Sequence, residues 1–218
     1  MENAFWIERW QKGEIGFHRD VHHGSLDAHW AKLNVPAQST VLVPLCGKSL
    51  DMEWLARRGH RVIGVELSDI AVDAFFSSQG LEPDVRQEGD HIVKSAGPYE
   101  IWQGDLFKLP QSALAHVAAV YDRASLVAFE PAMQPQYADW LANNSNAAEM
   151  LVVALDFDPS EMKGPPFSTP EATITKLFGN AFEIERLSRT DALDLNDPLR
   201  KRGLTALVET VHQLRKAK

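Results

Sequence analysis

Two features of this chain are spaced for chemistry: the turn Pro44-Leu45-Cys46-Gly47-Lys48-Ser49, and Glu66, which closes the apolar run Arg61-Val-Ile-Gly-Val-Glu66. A second apolar run, Thr40–Pro44, leads into the turn. Strand, glycine turn, helix and strand in that order would bring the acid to the carboxyl end of a strand, beside a backbone that a ligand can approach without meeting a Cβ. A carboxylate so placed can accept hydrogen bonds from both hydroxyls of a ribose, which is the chemistry of an adenosine-bearing cofactor. A solvated acid at a strand end is the plainer alternative.

The turn narrows the choice of cofactor. Gly47-Lys48-Ser49 has the end of a phosphate-binding P-loop, but the glycine required five residues earlier is replaced by Leu42. A dinucleotide fingerprint needs three glycines and this turn holds one. The pattern suits a cofactor without phosphates, such as S-adenosylmethionine. Asp105, after the run Glu100–Gln103, offers an acceptor for an adenine amino group, with Leu106 packing on the ring; a cap for the following segment would use the same residue. Arg123 ends the run Val117–Asp122 and is expected to face the crevice, where its permanent charge would steady an anionic nucleophile. An ion pair with Asp122 or Glu130 is the structural alternative. Gly164-Pro165-Pro166-Phe167 reads as a stiff loop, either the wall of a substrate pocket or a rigid connection.

Two other groups carry less. His18, His22, His23 and His29 cluster around Asp20, but their spacings match no common zinc pattern and no cysteine lies near, so no metal is expected. Cys46 has no assigned His/Asn partner and reads as a small buried residue rather than a nucleophile.

The elements that must position these residues alternate. Thr40–Pro44, Arg61–Glu66, Glu100–Gln103, Val117–Asp122 and Met150–Asp156 read as buried parallel strands. Leu50–Arg58, closed by Gly59, and Ile70–Gln79, capped by Ser68-Asp69 and ended by Gly80, read as helices. The expected fold is α/β: a doubly wound, mostly parallel, Rossmann-like sheet with helices on both faces. Phe182–Leu187 and Leu204–Gln213 look like an antiparallel pair at its C-terminal edge. Residues 1–35, with Trp6, Trp10 and Trp30, precede the first core strand and must lie outside the sheet, packed on its face or covering a ligand. One domain is expected, with 1–35 as an N-terminal lid and 36–218 as the core.

Composition bounds the function. The 218 residues can bury a sizeable core. A formal net charge of −8 argues against nucleic acid as the main partner. No apolar run is long enough to span a bilayer, and the start lacks the pattern of a secretory signal. The single cysteine excludes an internal disulfide, so a reducing cytoplasm is expected. A monomer is expected because no large apolar surface is evident.

Taken together, the pieces Trp10-Gln-Lys-Gly-Glu-Ile-Gly-Phe-His18, Val43-Pro-Leu-Cys-Gly-Lys-Ser49, Asp51-Met-Glu-Trp-Leu-Ala56, Arg58-Gly-His-Arg-Val-Ile-Gly-Val-Glu66, Asp122-Arg123-Ala124 and Gly164-Pro-Pro-Phe167 resemble the thiopurine S-methyltransferase family, its bacterial members in particular. The resemblance implies an S-adenosylmethionine-dependent methyltransferase fold and methyl transfer to the sulfur of an aromatic or heterocyclic thiol. It implies that the N-terminal segment covers the cofactor and that Trp10 packs on its methionine end. By the same carry-over Leu45 and Gly47 contact the cofactor through the turn, Glu66 holds the ribose, and Asp105 and Leu106 border adenine. Arg123 lies near both cofactor and substrate, Phe17 with His18 lines the acceptor pocket, and Arg200 is the candidate for a second substrate-facing arginine. His18 or Asp20 could pass the thiol proton to water. The competing readings are methylation of selenium or tellurium species in metalloid resistance, a nicotinamide-dependent oxidoreductase, and a non-catalytic small-molecule- or metalloid-binding protein on the same fold.

Overall fold

The computed structural model describes residues 3–194 and 197–217. Nine strands form one sheet: β1 (Thr40–Val43), β2 (Arg61–Glu66), β3 (Asp84–Glu88), β4 (His91–Ala96), β5 (Tyr99–Gln103), β6 (Val117–Arg123), β7 (Glu149–Asp156), β8 (Phe182–Asp191) and β9 (Val208–Lys216). Their order is β3-β4-β5-β2-β1-β6-β7-β9-β8. The centre, β5-β2-β1-β6-β7, is parallel, and both flanks are antiparallel. The winding reverses between β1 and β6, and ligands of such sheets bind outside the strand ends at that reversal.

Helices cover both faces. α1 (Asn3–Gln11) and α2 (Gly24–His29) belong to the N-terminal segment, α3 (Leu50–Arg57) and α4 (Asp69–Ser78) follow β1 and β2, and α5 (Gln134–Asn144), α6 (Glu171–Phe178) and α7 (Pro198–Lys201) follow later. Leu26 and Trp30, Met52 and Leu55, and Val72 and Phe75 bury one face with Val41, Val43, Tyr121 and Val211. Tyr137, Trp140, Ile174 and Phe178 bury the other with Leu42, Val65, Val120 and Val152. Neighbours in a strand therefore contribute to opposite cores, which is why these strands read as continuous apolar runs.

The expected caps form: Ser49 and Ser68 accept hydrogen bonds at the starts of α3 and α4, and Gly59 follows α3 at φ 88°. Two differences from the sequence reading have physical causes. The hairpin β3–β4 makes a second antiparallel edge, and β3 (Asp-Val-Arg-Gln-Glu) is mostly solvent-exposed, so it carries no apolar signal. The last strand starts at Val208, not Leu204, because Leu204 and Leu207 instead pack with Phe157 and Met162 in a small separate core.

Candidate functional site

The site is built at the winding reversal. β1 stops at Val43, and the next residues turn sharply, with Leu45 at φ 45° and Gly47 at φ 51°. Left-handed backbone costs a non-glycine residue about 1 kcal/mol or more, and strain of this kind concentrates at functional sites. Ala124, just beyond β6, has φ 69°. The Ser125 hydroxyl donates to the Pro44 carbonyl at 2.7 Å, tying the two strained turns together across the reversal.

Glu66 is buried at the end of β2, and backbone holds both its oxygens. The Gly47 N–H donates to Oε2 at 2.8 Å, and the Ser68 N–H donates to Oε1 at 2.9 Å. Burial pushes its carboxyl up, while the amides of Ser68, Gly47 and Leu67 oppose that rise. Each carboxylate oxygen has a second lone pair, so the group can accept two further hydrogen bonds. The same arrangement excludes a phosphate cradle: the Gly47 amide is committed to a carboxylate, which would repel a phosphate. A ribose diol on a phosphate-free nucleoside fits this donor set.

The neighbouring strand completes one side. The Gly104 N–H donates to the Glu66 carbonyl at 2.8 Å, and the chain then bends to Asp105. Asp105 caps the short 3-10 turn Leu106–Lys108, accepting from the Phe107 N–H at 3.0 Å, so the capping alternative is realised. Its second oxygen accepts from the Asn3 side chain at 3.5 Å. Leu106 is buried in the core against which Leu45 packs. His91, on the unexpected strand β4, supports the bend: its ring packs on Gly104 and its Nε2 lies 3.0 Å from the Asp105 carbonyl. In the sequence only a histidine 14 residues upstream, at the start of the run His91-Ile92-Val93, could have signalled this.

α1 lies across these strand ends. Asn3, near its start, meets Asp105, and Trp10, near its end, covers Gly47, with its ring 3.1 Å from where a Cβ on that glycine would stand. β5, β2 and β1 are consecutive strands, so their ends span about 10 Å, and seven residues of helix rise about the same distance. Trp10 is buried and meets Phe17 edge-on at 5.7 Å; Phe17 also meets Trp6 at 5.7 Å and remains 37% exposed. The structure thus brings Trp10, Leu45, Gly47, Glu66, Asp105 and Leu106 to one crevice edge under an aromatic cover.

The other edge is polar. The Asp122 carboxylate turns into the core, accepting from the Ser125 and Leu126 N–H groups at 3.3 and 3.1 Å and from the Tyr137 hydroxyl at 2.8 Å. It therefore does not pair with Arg123, contrary to half of the structural alternative. Arg123 is half-buried, and its charge reaches His18, Tyr121 and Glu209. Burial, followed by the charge of Lys48, lowers the His18 imidazole below its ordinary value; Asp20 lies 3.8 Å from its Nε2 and partly compensates. The Phe167 N–H donates to the Val127 carbonyl at 2.7 Å, so the Gly164–Phe167 loop borders the turn that follows Arg123. Arg200 is bonded to nearby backbone: its guanidinium donates to the Leu193 and Asp194 carbonyls at 3.3 Å each. Arg202 is the arginine bound to the loop, donating to the Pro165 carbonyl at 2.7 Å.

Sequence reasoning missed a further network beside Arg123. The His23 N–H donates to Asp51 at 2.6 Å, and its ring lies 2.8 Å from the Ser25 hydroxyl and 3.1 Å from the Glu209 carboxylate. Elsewhere His22 pairs with Asp27 and His29 with Ser188, and among the described residues no three His, Cys, Asp or Glu side chains converge to hold a metal. Cys46 is buried; desolvation, then the Glu66 charge, push its thiol well up, and a Cβ on Gly64 would lie 2.7 Å from its Sγ. It packs and is no nucleophile. A cavity of about 580 Å³ lined by Pro131, Asp156, Phe157, Met162, Lys163 and Phe167 lies apart from all these groups except the loop.

Comparison with known proteins gives a consistent result. The model of the family described as thiopurine S-methyltransferase matches residues 1–217. A thiopurine S-methyltransferase of Pseudomonas fluorescens (strain Pf0-1) is 44% identical over 215 residues, 99% of each chain. One of Methylococcus capsulatus is 43% identical over 217 residues, covering 99% of this chain and 98% of that one. Among solved structures, the Burkholderia thailandensis 1,6-didemethyltoxoflavin-N1-methyltransferase with bound S-adenosylhomocysteine superposes with TM-score 0.64 at 16% identity, covering 99% of this chain and 87% of that one. Magnesium protoporphyrin IX methyltransferase of Synechocystis superposes with TM-score 0.63 at 15% identity, covering 98% and 96%. These two share the fold of S-adenosylmethionine-dependent methyltransferases. Among the described residues no helix is long and apolar enough to cross a membrane.

Proposed function

The chain belongs to the thiopurine S-methyltransferase family, and from that premise we propose how its site divides the work. The protein is an S-adenosylmethionine-dependent enzyme that methylates the sulfur of an aromatic or heterocyclic thiol of the thiopurine type. Glu66 holds the ribose diol with the lone pairs that Gly47 and Ser68 leave free. Asp105 and Leu106 border adenine, and Leu45, Gly47 and Trp10 enclose the methionine end. When bound, S-adenosylmethionine supplies a methyl group already activated on a sulfonium. The chain's own part is alignment, and alignment alone can account for much of the rate.

On the acceptor side Arg123 stabilises and orients the thiolate. Phe17 stacks on a flat acceptor, and within a single methyltransferase domain of residues 1–218 the N-terminal lid, 1–35, excludes water from the site on the sheet core, 36–218. His18 is neutral near pH 7, because burial and Lys48 lower it, and so can take the thiol proton and pass it to solvent beside Asp20. Arg200, whose guanidinium donates to the Leu193 and Asp194 carbonyls, is kept as the candidate for a second substrate-facing arginine. In this reading the enzyme acts in the cytoplasm as a monomer. The observation that carries the cofactor assignment is the Glu66 carboxylate held by two backbone amides. The test is an acceptor screen with methyl-labelled S-adenosylmethionine: label should pass to aromatic thiols, and label that passes to none of them would overturn the reading.

A further inference from the structure

β9 runs antiparallel to β7, so its first residues, not its last, lie at the crevice end of the sheet. Arg123 stands opposite Val153 on β7, and Val153 stands opposite Val211 on β9, so the three share one row and one face. Glu209, two residues earlier than Val211, keeps that face and stands opposite Leu155, further toward the crevice mouth. Its side chain is 21% exposed, and one carboxylate oxygen lies 3.1 Å from His23 Nε2. Burial would raise its carboxyl, but the His23 hydrogen bond and the charges of His23, Arg19 and Arg123 outweigh this and lower it, so Glu209 is ionised at neutral pH. The other acids nearby are otherwise disposed: Asp122 turns into the core, Asp51 accepts from the His23 amide, and Asp20 projects fully into solvent.

We propose that Glu209, held by His23, is a specificity-determining residue that disfavours acceptors carrying a carboxylate and favours aromatic thiols uncharged apart from the reacting sulfur. The inference rests on the reading of Arg123 as the acceptor-side cation. Arg123 draws any anionic acceptor toward it, and without a counter-charge it would not distinguish a thiolate from a carboxylate. Glu209 supplies that counter-charge at the mouth, where a second anionic group on the acceptor would sit, and like charges there repel. Arg19, exposed on the loop before His23, brings a positive charge to bear on the same carboxylate and weakens the repulsion.

The test compares kcat/KM for para-mercaptobenzoate with kcat/KM for thiophenol in the wild type, Glu209→Gln and Arg19→Gln. Calorimetric binding of S-adenosylhomocysteine reports that each variant is folded. Glu209→Gln should move the ratio toward the carboxylate-bearing thiol by about five- to tenfold, the scale of one partly screened charge several ångströms away. Arg19→Gln should move it the opposite way, and it decides alone if the first variant does not fold. Wild-type turnover with a ratio that neither variant alters overturns the inference and leaves the acceptor reading standing. A wild type that methylates neither thiol overturns both.

Discussion

The two edges of the crevice are made of different material. On the cofactor edge, at the ends of β5, β2 and β1, ligand groups are fixed by backbone: the amides of Gly47 and Ser68 hold Glu66, and Gly104 donates to the carbonyl of the same residue. On the acceptor edge, around β6 and β9, they are polar side chains drawn from distant parts of the chain: His18 and His23 from the N-terminal segment, Arg123 from β6 and Glu209 from β9. A nucleoside that is the same in every turnover can be met by a rigid frame. A variable acceptor is met by side chains whose charges can be exchanged without disturbing the sheet. Substitutions on the first edge should therefore change binding, and those on the second should change rate and preference.

The largest effect should come from removing what both edges share. Deleting residues 1–18 should lower turnover more than about 100-fold by admitting water and losing the aromatic cover. Far-UV circular dichroism should still report a folded sheet, and full activity would dismiss the cover. Next, Arg123→Ala should reduce kcat/KM for thiols about 100- to 1000-fold, the scale of a lost charge-stabilising group, while S-adenosylhomocysteine affinity stays near wild type. If affinity fell more than turnover, Arg123 would belong to the cofactor edge and the division would fail. Glu66→Ala should do the converse, weakening S-adenosylhomocysteine in calorimetry by about 1–3 kcal/mol. Unchanged affinity would remove the ribose assignment.

The smallest effect is on stability. The Glu209 carboxyl lies below its ordinary value of 4.5, so its ionised form contributes stability that is fully present above that pH and is lost as pH falls through the folded value. Denaturation of wild type and Glu209→Gln should therefore differ at neutral pH and converge in acid below about pH 4.5. A constant difference would show that the His23 contact, rather than charge, sets the contribution.

The meeting of the Gly47 turn with Glu66 was legible in the sequence because its parts are local: one turn glycine, one acid 19 residues later and the apolar runs between them. Their spacing is dictated by strand, helix and strand. The acceptor edge was not, because pairing of β9 with β7 joins His23 to a carboxylate 186 residues away, and no local pattern marks it. Arg123 stood out in the sequence because it ends an apolar strand; Glu209 begins one, and only the antiparallel direction of β9 turns that beginning toward the crevice. The hydrogen bond from Arg202 to the Gly164–Phe167 loop was equally hidden, since no local pattern tells which of the neighbouring arginines reaches it. The β3–β4 hairpin escaped notice because an exposed edge strand needs no apolar face, yet it delivers His91 to the Asp105 bend.

The most direct test is a crystal structure with S-adenosylhomocysteine bound. Both ribose hydroxyls should lie within about 3 Å of the Glu66 carboxylate, with the Gly47 and Ser68 amides still bonded to it. A nucleoside seated away from Glu66, or ribose hydroxyls that displace those amides to other partners, would contradict it.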